Sequence, residues 1–230
     1  MYRTYQIVDQ SHKTTLQPNK ILLWIGFCSV VIHMLILLTM YFLNAYTWIS
    51  YLLLDFEWFA GTTSMLLIIE HAVWLHLLWM LATPPYYSMI FSYFGVLLAI
   101  TGWIMELIVP TDPDPKSLHP YFCILFIVGC VINISGSILL LPGRSRGVDS
   151  SYRYIFAFLG LSAAVISGIW FAWWMLKDKL KLTVTWHIEQ SFQITAYETY
   201  LASLAVVFKW AIADQGAKIN AYVMEATTRC

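Results

Sequence analysis

The stretch 66–80, LLIIEHAVWLHLLWM, sets Glu70, His71 and His76 among apolar residues. Carboxylates and imidazoles bind metals, hold haem iron, pass protons, or tie helices together by hydrogen bonds. On a helix turning about 100° per residue, His71 and His76 lie about 140° apart. One helix cannot aim both rings at a single ion. The HExxH zinc motif places its two histidines four apart on one face; here the order is EHxxxxH. A di-iron hydroxylase needs several close histidine pairs, and a membrane zinc hydrolase of the ceramidase or adiponectin-receptor kind needs an Hx3H cluster near the C-terminal end. The chain has neither. A bis-histidine haem needs rings at matching depth on facing helices, and His33 with His76 leaves one such pair. No cofactor is expected, and a His-ligated haem or metal enzyme stays as an alternative.

Other ionisable groups in apolar runs are Glu106, His119, Glu198 and Lys209. Glu70 falls about halfway along its run. It is read as a polar clasp to His33, to Thr62, Thr63 or Ser64, or to a group on the last helix, against the alternative of a proton or lipid-headgroup site. Glu106 is placed near the outer end of its helix, at the interface. Glu198 precedes Lys209 by 11 residues, about 16 Å along a helix axis, so the two cannot pair; Lys209 is expected to snorkel to the aqueous boundary. Ser64, His71 and Glu57 share a face but spread over about 21 Å, which rules out a triad. There is no GxSxG and no Gly-rich phosphate loop. The chain is therefore read as non-catalytic.

The elements that must position these groups follow from composition. Of 230 residues, 60% are hydrophobic and 11% charged, with mean hydropathy +0.68; soluble domains carry about 25% charged residues. The balanced charge offers no field for nucleic acid. Six apolar segments, near 20–44, 56–82, 86–109, 120–141, 154–177 and 187–214, predict an all-α bundle of six transmembrane helices. The expected organisation is a cytosolic N-terminal segment over 1–19, the six-helix domain over 20–214, and a cytosolic tail over 215–230. All eight prolines fall at helix ends or in connections, so the broken helices typical of transporter sites are missing.

Lys and Arg counts set the orientation. Eight, from Arg3 to Arg229, fall on the side of both termini, against four at Lys116, Lys177, Lys179 and Lys181. Both termini are expected in the cytosol. The first 20 residues are not a cleavable signal. Trp48, Trp58, Trp79, Tyr86, Tyr87, Trp173, Trp174 and Trp186 mark the interfaces. Gly160, Ala164 and Gly168, four apart, are read as a close packing stripe inside the molecule. The sequon at Asn133 lies in an apolar run and is expected to stay unglycosylated. No CxxC exists among Cys28, Cys123, Cys130 and Cys230. Segment 45–58 is expected to lie in the interface, and 177–186 to form a short interfacial strand or helix edge.

A Pro-rich loop, PTDPDPKSLHP, delivers His119 directly before the fourth span, and the sixth carries Glu198 between Tyr197 and Tyr200, then Phe208 and Asp214. Over about residues 86–214 this resembles the DRAM/FRAG family of six-span proteins, which includes autophagy modulators and GPI-lipid remodelling factors. The chain departs from that pattern in keeping Trp48-Ile49-Ser50 without a preceding Pro, and in placing Thr199 between Glu198 and Tyr200. The resemblance implies a six-span fold and roles in lipid remodelling, lipid organisation or autophagy.

The sequence reading is a non-catalytic multi-pass protein of an endomembrane, most simply the endoplasmic reticulum. It would bind membrane lipid or dock a protein partner in a lipid-transfer or lipid-remodelling assembly, with Glu70, His71, His76, Glu106, His119 and Glu198 as lipid or polar-network residues. A proton-coupled carrier using Glu70 and Glu198 is the other alternative.

Overall fold

A computed structural model describes residues 20–44, 49–81, 87–108, 118–140, 151–180 and 186–228. These residues are helical almost throughout: α1 (Lys20–Leu43), α2 (Ile49–Asp55), α3 (Glu57–Leu81), α4 (Tyr87–Ile108), α5 (His119–Leu140), α6 (Ser151–Leu180) and α7 (Trp186–Thr228). Four helices, α1, α3, α4 and α6, contain stretches long and apolar enough to cross a membrane. By length and composition this is an integral membrane protein. The described apolar part of α5, Tyr121–Ser137, is shorter. In α7, Glu198, Lys209 and a series of Thr, Ser and Tyr residues dilute the hydropathy.

The outer surface supports a membrane setting. Trp58 and Trp79, near the two ends of α3, are each 56% exposed. They are 21 residues apart (79 − 58), about 32 Å along the axis, close to a hydrocarbon core of about 30 Å. Between them the outward residues are apolar, such as Met65 and Ile68. The outward faces of α4 and α6 carry Phe91, Phe94, Leu97, Phe158, Leu161 and Val165, which suits lipid contact rather than water.

The six long helices form a ring. Each packs on its neighbours in sequence, and α7 closes back on α1. The tightest seam joins α4 to α5. A Cβ on Gly95 would strike the Asn133 backbone and come within 2.7 Å of the Gly129 carbonyl. One on Gly102 would strike Phe126 and approach the Phe122 carbonyl to 2.9 Å, and one on Gly129 would strike Ala99. Here two backbones touch, which only glycine permits. Sequence reading placed the small-residue stripe on α6 instead. Of that stripe, Gly160 does seat the Ile134 side chain, which a Cβ there would meet at 2.7 Å, but Gly168 faces open space.

Three local features extend the sequence reading. The segment after the first span holds a short helix, α2, whose Leu52 and Leu53 are buried and which packs on α3, α4 and α7. Residues 177–180 continue α6 as helix, while 181–185 lie outside the described residues. The last helix does not stop near Asp214: α7 runs 43 residues to Thr228, about 65 Å of axis. Its core positions, Leu201, Leu204, Val207 and Phe208, are fully buried. The inward face of such a helix can carry polar groups, because protein rather than lipid surrounds them there.

Candidate functional site

Glu70 and His71 are adjacent in sequence, and their roughly 100° separation around α3 sends them to different partners. Glu70 turns to α1. His33 Nδ1 lies 3.0 and 3.2 Å from its two carboxyl oxygens, and both side chains are fully buried. The edge of the His33 ring meets Tyr197 of α7, with centroids 5.5 Å apart.

His71 turns to the ring's interior. Its Nδ1 donates to the Leu67 carbonyl at 2.8 Å, because a carbonyl can only accept. Its Nε2 must then accept in a neutral ring, and the Tyr200 hydroxyl of α7 donates to it at 2.8 Å. Tyr200 oxygen in turn accepts from Asn133 Nδ2 at 3.2 Å. The amide orientation follows from Trp74, whose indole N–H can only donate and meets Asn133 Oδ1 at 3.0 Å. Ser137 Oγ donates to the Asn133 carbonyl at 2.6 Å, and Ser92 Oγ lies 3.0 Å from Ser137 Oγ. One consistent set of donors and acceptors links α3, α4, α5 and α7. Every polar atom named in it has a partner, so the ladder is a closed structural network. Asn133, the sequon asparagine, is fully buried in it.

A second polar group is built differently. A cavity of about 60 Å³ lies among α4, α5, α6 and α7, with Ile49 of α2 at one end. That volume exceeds the roughly 10–15 Å³ one water needs. Its walls are apolar, including Phe126, Ile134, Ala163 and Trp170. Its half-buried lining residues are Ile127 and Val131 of α5, Ala164 of α6 and Gln193 of α7. Into it face Glu106, Ser167, Gln193, Tyr197 and Tyr200. Glu106 is 5% exposed and takes a hydrogen bond from the Cys123 thiol. The α4 seam turns it inward, since the glycines that face α5 fix the rotation of the helix. Trp103 stacks on Tyr197 (5.6 Å, 14°) and Phe126 closes the set at 5.4 Å from Tyr197. Trp103 is held from behind by donating its indole N–H to Ser64 Oγ at 2.9 Å.

The remaining candidates stand apart. His76 is half-buried and joins neither cluster among the described residues. His119 opens α5, and its side chain lies outside the described residues. Glu198 points away from the ladder, and neither carboxylate oxygen has a partner among the described residues. Lys209 is exposed. Among the described residues no three His, Cys, Asp or Glu side chains converge on a common point. Sequence reasoning missed Asn133, Tyr200 and Gln193 as site residues. A lone Asn in an apolar run was the available signal, since a buried amide in a bundle must find partners.

No family model, no curated protein and no solved structure matches this chain.

Proposed function

We propose that this protein handles lipid within a membrane, without catalysing a reaction, and that the α5–α6 cleft is where it holds lipid. The observation that carries the reading is a cavity with mostly apolar walls and a few polar lining groups, with half-buried Val131 of α5 and Ala164 of α6 on its wall and an apolar outer face on α6. Such a site suits an amphiphile that enters sideways from the bilayer: the walls take a chain and the polar groups take a headgroup. We propose further that all six long helices cross the membrane with both termini in the cytosol. In this reading the protein sits in an endomembrane such as the endoplasmic reticulum, as a subunit that docks a protein partner of a lipid-transfer or remodelling assembly. The resemblance to the DRAM/FRAG family supports the same direction. Filling the cavity with Ala164→Trp tests the site. Native mass spectrometry of the purified wild-type chain is expected to show a bound lipid that the variant lacks; equal lipid on both would sink the reading.

A second reading, a proton-coupled carrier, rests on the buried His33–Glu70 pair and the unpaired carboxylate of Glu198. Substrate uptake that survives Glu70→Gln and Glu198→Gln unchanged would dismiss it.

A further inference from the structure

The polar lining of the cleft is chemically selective. Gln193 and Tyr197 both line the cavity, and neither Gln193 Oε1 nor the Tyr197 hydroxyl has a hydrogen-bond partner among the described residues. Tyr197 is only 6% exposed. An unpaired polar atom at this depth is unfavourable by about 1–3 kcal/mol, so a ligand that pairs it gains that amount on binding. The two residues are four apart on α7, one turn along the same face. A single headgroup can therefore reach both. An amide oxygen only accepts, whereas a phenol both donates and accepts. A hydroxyl matches this pair: it donates to Gln193 Oε1 and accepts from Tyr197.

We infer that the cleft selects an uncharged amphiphile whose headgroup presents hydroxyl groups, of the acylglycerol, ceramide or sterol class, and disfavours lipids that present a phosphate. The inference rests on the lipid-handling reading above. A fully ionised phosphate only accepts, so it would leave Gln193 Oε1 unpaired. It would also bring negative charge beside the Glu106 carboxyl in a site of low polarity. Among the described residues no Lys, Arg or His lines the cavity to offset that charge. Ile134, Ala163 and Trp170 form the apolar wall along which one chain would lie.

The test uses the full-length protein in phosphatidylcholine nanodiscs with two photoactivatable probes. One is a diacylglycerol and the other a phosphatidic acid, with identical diazirine-bearing chains. Labelled peptides are mapped by mass spectrometry. The diacylglycerol probe is expected to label the cavity walls on α5 and α6, while the phosphatidic acid probe labels only the outer faces of α4 and α6. Gln193→Leu should reduce diacylglycerol labelling of the cavity about tenfold, the effect of losing one buried hydrogen bond. Tyr197→Phe, which keeps the ring stack on Trp103, should reduce it several-fold, on the order of a weaker hydrogen bond. Equal cavity labelling by both probes would overturn the headgroup assignment and leave lipid handling standing. So would Gln193→Leu and Tyr197→Phe proteins that label like wild type. Outer-face labelling by both probes, with neither labelling the cavity, would overturn the lipid reading itself.

Discussion

Two polar clusters meet at Tyr200 inside the same ring of helices, and they are built to opposite rules. On one side, hydrogen bonds join His71, Asn133, Trp74, Ser137 and Ser92 through Tyr200, and every polar atom named has a partner. On the other, Gln193 and Tyr197 line a cavity, and Gln193 Oε1 and the Tyr197 hydroxyl have no partner among the described residues. A saturated network holds helices together and leaves no valence for a visitor. An unsaturated one carries a standing penalty that a ligand can remove. The two Glu residues also differ in setting: Glu70 meets His33 Nδ1 through both oxygens, with His33 Nε2 unpartnered among the described residues, whereas Glu106 borders the cavity and takes a hydrogen bond from the Cys123 thiol.

The contrast can be broken by substitution, and the largest effect falls on the saturated side. Asn133→Leu strands the Trp74 indole and removes the donor to Tyr200; it should destabilise the fold by about 3 kcal/mol, read as a lowered melting temperature in detergent. Glu70→Leu strands His33 Nδ1 and should destabilise by about 2 kcal/mol. Adding His33→Leu should recover more than half of that, because removing both partners is milder than removing one. A double variant that melts lower than either single would show that the pair is not the relevant contact. At the small end, Gln193→Leu should leave stability unchanged or raise it by up to about 1 kcal/mol, since it removes an unpaired acceptor. If it destabilised as much as Asn133→Leu, the two clusters would not differ in kind.

Much of the ladder's starting point was legible in the sequence. The 100° step between Glu70 and His71 already requires different partners, and His33 was among the candidates for Glu70. Spans α1, α3, α4 and α6 also follow from apolar run length. The cleft was not legible, for a physical reason. Its existence depends on how far α5 stands from α6, and that distance is set by the Gly95, Gly102 and Gly129 seam drawing α5 onto α4. Glycine spacing on two separate helices does not announce which pair will touch. Glu106 illustrates the consequence: its place near a helix end suggested the interface, but the rotation imposed by that seam buries it. The length of α7 was hidden likewise, because residues 215–228 lose the apolar signal while staying helical.

The most direct test of the central claim is a thermal melt of the full-length protein against increasing diacylglycerol, for wild type and for Ala164→Trp. A ligand that binds only the folded state raises the melting temperature as its concentration passes its dissociation constant. The wild-type melting temperature is predicted to rise with the lipid, and that of the variant with the filled cleft to stay flat. Parallel rises in both proteins, or no rise in wild type, would contradict the assignment of the unpaired cluster as a lipid site.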